Sequence, residues 1–176
     1  MHDDARDLVR WNHAVRLRFA RYFETLPWRV LRENHETSHL NIANVFMHGC
    51  NMEDWYLHYV LPKKAWAGPK YDGFRSARAM RVRVQEVNRK GERFLRTLKR
   101  PSLARPADLS ALGKDAAKDI TLGDLLVELV TEDVHHRGEI LAMLWRKDLQ
   151  PPDVSFTGWA AAERASNGRS RRRARR

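Results

Sequence analysis

The chain has 176 residues, 43% of them hydrophobic, and a formal charge of +11, enough for one domain with its own core. Its one cysteine, Cys50, excludes an internal disulfide framework and a Cys-rich zinc pattern, and suits a reducing cytoplasm. The acidic opening Met1-His2-Asp3-Asp4 argues against a signal peptide, and no run approaches the ~18 apolar residues of a membrane span.

In chain order, Leu8, Trp11, Val15, Phe19 and Tyr22 or Phe23 recur at helical spacing and predict a helix over 3–26, ending before Pro27. A second helix is expected over 38–60, with Ser38 as its cap and Pro62 as its stop. The segment 61–72, rich in proline and glycine, reads as an ordered loop. Met80, Val84, Val87, Phe94 and Leu98 predict a third helix over 73–98, in which Gly91 allows a close helix approach and which Pro101 ends.

The connection 99–120 is long for a bundle, is broken by Pro101 and Pro106, and has room for a short helical turn from Asp108 to Leu112. A fourth helix is expected over 121–147, with Thr121 as cap and Asp124 in its first turn. Pro151-Pro152 is expected to forbid further helix, and Phe156 and Trp159 to pack back on the bundle. There is no internal repeat and no alternating strand pattern. The expected fold is all-α, a four-helix bundle over 1–160 with a disordered Arg-rich tail over 161–176.

Charge is uneven along this plan. Seven of the 33 basic residues are arginines in 164–176, a stretch with no acid, and without them the net charge falls to +4. Such a tail can bind nucleic acid or an acidic surface by counterion release, or simply be a solvated tail. It carries no interleaved aromatics for stacking on bases.

Glu132-Asp133-Val134-His135-His136-Arg137-Gly138-Glu139-Ile140 is the most informative stretch. Glu132 and His136 are four apart, hence on one helical face, among Leu125, Leu129, Ile140 and Met143. A carboxylate and an imidazole on an apolar stripe need compensation. A bound metal supplies it; so does a hydrogen bond between the two side chains. His48, on a stripe with Val45, Met52, Trp55 and Tyr59, is the candidate third ligand. Two imidazoles and a carboxylate leave coordination positions open, as catalytic metals need.

Other residues are weighed against this centre. His135 points about 100° away from His136 and suits a supporting role. Trp55, Tyr56 and Tyr59 either wall a pocket or belong to the core. Arg137 either holds an acidic substrate or makes a structural salt bridge, and Glu53 lies off the His48 face. His35 and His39 flank the expected cap and read as solvated; His58 reads as peripheral. Cys50 reads as a buried, inert thiol. No phosphate-binding glycine loop and no nucleophile elbow is present.

His48 followed by Glu53-Asp54-Trp55, then His135-His136-Arg137-Gly138-Glu139-Ile140, resembles the DinB/YfiT-like family of metal-binding helix bundles. Trp11-Asn12-His13, Leu26-Pro27 and Pro151-Pro152-Asp153 add to the likeness, which spans roughly residues 5–156. The resemblance implies a homodimeric four-helix bundle with one divalent metal, commonly zinc or nickel, held by three histidines. Two of those positions match His48 and His136; the third falls on Glu132. That departure leaves three outcomes open: a harder ligand set that also suits iron or manganese, a weakened site, or a Glu132 that simply pairs with His136.

The family's characterised members, thiol-dependent transferases and isomerases that use low-molecular-weight thiols, imply a metal-dependent thiol transferase-like reaction on a small molecule; a metal-activated water would equally give a hydrolytic one. The alternatives are a non-enzymatic stress-response or interaction bundle, and nucleic-acid association through the basic tail.

Overall fold

A computed structural model describes the backbone of residues 5–113 and 119–173, with side chains to residue 165. The molecule is all-helical, and no helix among the described residues is long and apolar enough to cross a membrane. Helix α1 (Ala5–Phe23) is followed by a short α2 (Trp28–Arg32), α3 (Ile42–Trp55), α4 (Ala77–Thr97), α5 (Leu122–Trp145) and α6 (Phe156–Arg173). The four long helices α1, α3, α4 and α5 close a ring of pairwise packing: α1 on α4 and α5, α3 on α4 and α5. Their apolar stripes share one core, with Val15, Phe19, Val45, Met47, Met80, Val84, Leu126 and Leu144 essentially inaccessible to water.

The helix ends follow local chemistry, and several differ from the sequence expectation. Helix α1 stops at Phe23, where Thr25 and Leu26 tighten into i→i+3 bonds ahead of Pro27. Helix α3 begins at Ile42, not 38, because Leu40 sits at φ 72°, a conformation a helix cannot absorb. The cap is therefore Asn41, whose side chain accepts from the Asn44 amide; Ser38 instead bonds Glu139. The last turn before Pro62 is π-helical, Tyr56–Val60, with Leu61 N–H reaching the Tyr56 carbonyl. Thr121 caps α5 in a capping box with Asp124.

The long connection carries 3₁₀ turns at Arg100–Ala104 and Ser110–Leu112 and is pinned to the start of α5 by the bonds Ala107 N–H to Ile120 O and Leu122 N–H to Arg105 O.

The C-terminal expectation is corrected. Helix α6 runs to Arg173, so Pro151-Pro152 delays further helix without forbidding it; residues 174–176 of the expected tail lie outside the described residues. Alanines, Glu163 and arginines are good helix formers. The first turns are held on α1, with Phe156 edge-on to Trp11 and Trp159 buried.

Candidate metal centre and adjoining cleft

The centre of the bundle is charged. Along α1 the buried positions 9, 12, 16, 19 and 23 include Asn12 and Arg16. Arg16 is 2% exposed; its guanidinium donates to Asp133 Oδ2 of α5 at 2.9 and 3.1 Å and to Glu53 Oε2 of α3 at 2.8 Å. Burial opposes its charge, but Asp133 and Glu53 outweigh burial and hold the group firmly protonated. Glu53 also meets His13 Nε2 at 2.7 Å, and Asn12 bridges Asp133 and Arg137. Burial raises the Glu53 carboxyl, yet His13 and Arg16 together bring it down to about 2.

Two glycines make room for this network. A Cβ at Gly49 would collide with Asp133 Oδ1, and one at Gly91 with Glu53 Oε1 and the His13 ring. Gly91 thus admits a carboxylate–imidazole pair.

One turn along α5 from Asp133, His136 faces α3. Its Nε2 is 3.0 Å from Glu132 Oε1, which is 3.7 Å from His48 Nε2. The His48 and His136 ring centroids are 5.0 Å apart at 84°. His136 Nδ1 contacts Glu139 Oε2 at 3.3 Å, and Glu139 accepts from the Ser38 hydroxyl through both oxygens. This carboxylate fixes the His136 ring, as supporting groups do for metal-binding histidines.

His39 joins them, and its expectation as a solvated side chain is corrected. It lies half-buried on the loop between α2 and α3, stacked on His48 with centroids 4.0 Å apart and 26° between planes. The loop is closed by His35 N–H to Leu40 O (2.7 Å) and Leu40 N–H to Thr37 O (3.1 Å). One ring nitrogen from each of His39, His48 and His136 lies within 4.8 Å of the others.

The donor set fits a divalent cation. Ligands ~2.1 Å from a tetrahedral metal stand about 3.4 Å apart, so the imidazoles need only close slightly. Burial, then the neighbouring imidazoles, lowers His48 to about 4, and burial lowers His39 as well. Both rings are therefore neutral at pH 7, as metal ligands must be.

The remaining candidates divide. Trp55 lines a cleft of about 530 Å³ beside His48, with Asn51, Met52, Trp66, Lys70 and Tyr71. Its outer wall is tied to α3 by Asn51 Nδ2 donating to Pro69 O. Tyr59 does not line the cleft; it packs edge-on behind Trp66, and Tyr56 packs against Trp55. His135 is mostly exposed, 4.0 Å from Glu139. Arg137 faces α1, bonded to Asn12 beneath the Trp11 ring, and is turned from the cleft. Cys50 is fully buried, which pushes its thiol up to about 12 and leaves it inert. His58, on the π-helical turn after α3, is half-buried against Phe94 of α4 and takes no part in the histidine cluster.

Sequence reading missed His39 and the Arg16 network. The signal for the latter was present: Asn12 and Arg16 fall on the buried 3–4 spacing of α1, opposite acids on α3 and α5. No protein-family model matches the chain, and no curated protein matches it.

Proposed function

We propose that this protein is a DinB-like four-helix-bundle metalloprotein that acts on a small molecule, with a divalent ion held by His39, His48 and His136, a set that leaves a coordination position open, and with the Glu132 carboxylate beside it. The observation that carries this reading is the convergence of three imidazoles and a carboxylate, from α3, α5 and the loop before α3, with His48 also lining a cleft. A bound ion of this type lowers the pKa of a coordinated water or thiol and so supplies a nucleophile at neutral pH.

The chain's own residues prepare for that chemistry. Glu139 orients His136, and Glu132 places a carboxylate beside both His136 and His48, where it can accept the proton released by the nucleophile. Trp55, Trp66 and Met52 offer an apolar wall to the body of a substrate, and Lys70 a cation to an acidic end. Thiol transfer and hydrolysis are the reactions this arrangement suits, with zinc or nickel favoured by the imidazoles and iron or manganese admitted by the carboxylate.

The reading includes a homodimer. Val127, Val134 and Trp145 are exposed on one face of α5, a spacing that suits a second helix. Val134→Arg is expected to convert the dimer to monomer in sedimentation.

The deciding experiment is metal content by mass spectrometry on untagged protein. About one ion per chain, absent from His48→Ala and His136→Ala, supports the centre and selects the metal for activity screening. No ion after reconstitution with zinc, nickel, manganese or ferrous iron overturns it.

A further inference from the structure

On the opposite side of the bundle, α1 and α4 frame a second cleft, of about 410 Å³, lined by Arg10, His13, Asn88, Arg89, Glu92, Arg93 and Arg96. We infer that this cleft binds a compact polyphosphate anion, the di- or triphosphate part of a small molecule, independently of the metal centre.

Three observations carry the inference. Arg89, Arg93 and Arg96 fall at i, i+4 and i+7, so their guanidinia share one face of α4, and all three are exposed. Like charges at that spacing repel, and a surface helix gains nothing from them without an anion. Arg10 reaches across from α1 to complete the set, bonding Glu92 at 3.3 Å and Asp7 at 3.2 Å.

The acids present do not neutralise the group. Glu92 and Asp7 are engaged with Arg10, and among the described residues Arg93 and Arg96 have no ion-pair partner. The C-terminal dipole of α4 accounts for a cation at Arg96, in its last turn; Arg89 and Arg93 lie upstream of that turn.

The floor of the cleft is built. Asn88 Nδ2 donates to the His13 carbonyl at 3.0 Å, and His13 Nε2 is held by Glu53 at 2.7 Å. Arginines ranged around such a floor suit phosphate oxygens, which their planar forks engage two at a time. No tryptophan, tyrosine or phenylalanine is among the residues lining the cleft, and its one ring, His13, is tied to Glu53, which favours recognition of the phosphates themselves over stacking of a base.

The test is calorimetric titration of inorganic triphosphate into full-length protein, stripped of metal with EDTA and dialysed, at about 0.1 M salt. Binding of one triphosphate per chain is expected, weakened about tenfold or more in R93A/R96A and unchanged when Arg171, Arg172 and Arg173 are replaced by alanine. Far-UV circular dichroism confirms that R93A/R96A remains helical, since both side chains are exposed. Absence of binding, or binding that survives R93A/R96A, or binding lost with the α6 arginines, overturns the inference. A 20-nucleotide oligonucleotide that binds where triphosphate fails overturns it too, in favour of an extended polyanion surface.

Discussion

His39 stacks on His48, ring on ring, 4.0 Å between centroids. A loop residue thereby sits in register with a helical one, and each contributes a nitrogen toward His136. Metal affinity should rank accordingly. His48→Ala and His136→Ala are expected to abolish tight zinc binding, while His39→Ala and Glu132→Gln weaken it about 10–100-fold each, as loss of a flexible ligand or supporting group does. Competition with a chromophoric chelator measures the series; an unchanged affinity in His39→Ala removes that residue from the set.

Arg16 neutralises two buried carboxylates at once. Arg16→Ala leaves Glu53 with His13 alone and Asp133 with the more distant Arg137, 3.7 Å away, and is expected to destabilise the fold by about 3 kcal/mol in urea unfolding. Arg16→Ala combined with Glu53→Gln and Asp133→Asn should recover part of that loss, because uncharged amides cost less to bury unpaired.

Gly49 has the Asp133 carboxylate where a methyl would go. Gly49→Ala is expected to cost about 1–3 kcal/mol, since α3 and α5 must separate. Because His48 precedes it, the same change should lower metal affinity even in the folded fraction. Thermal unfolding and chelator competition on one preparation check both.

Acid should loosen the core in a defined window. Glu53 sits at about 2 in the folded chain against an ordinary 4.5, so the unfolded chain takes up its proton first. The stability it contributes is complete above about 4.5 and is lost as pH falls from there toward 2. Glu53→Gln is expected to start less stable and to lose less between pH 5 and 2.5, read from urea midpoints at each pH.

Cys50 should not react with a disulfide reagent in the native protein and should react fully in denaturant, given its burial and a thiol raised to about 12. Stoichiometric labelling under native conditions would show that α3 opens.

The cap of α3, Asn41 in place of Ser38, was not legible. The long helices themselves were, because their apolar residues recur at helical spacing, and so were some local signals. The Thr121–Asp124 box and the Phe156 and Trp159 contacts with the bundle are examples. Helix α2 was not legible: five residues hold too little periodicity to stand out. Nor was α6, since the prolines before it and its charge both argue for a loop, while its helicity rests on propensity and on anchoring at its first turn.

In the centre, His48 and His136 stood out as polar residues on apolar faces. His39 could not, because a loop residue has no periodicity to violate and its partner was set by the turn at Leu40. Arg16 was hidden for the opposite reason. An arginine every few residues is ordinary in so basic a chain, and only the contacts of α1 with α3 and α5 distinguish the buried one.

The loop bearing His39 has a kinetic meaning. His48 and His136 ride on packed helices, whereas His39 is held by a few backbone bonds and by Ser38 on Glu139. An ion bound between them could lose its third nitrogen by a local opening of the loop, with the bundle intact. Its residence time would then follow the lifetime of that loop rather than the global unfolding rate, and ion exchange would be fast in a protein whose helices stay folded.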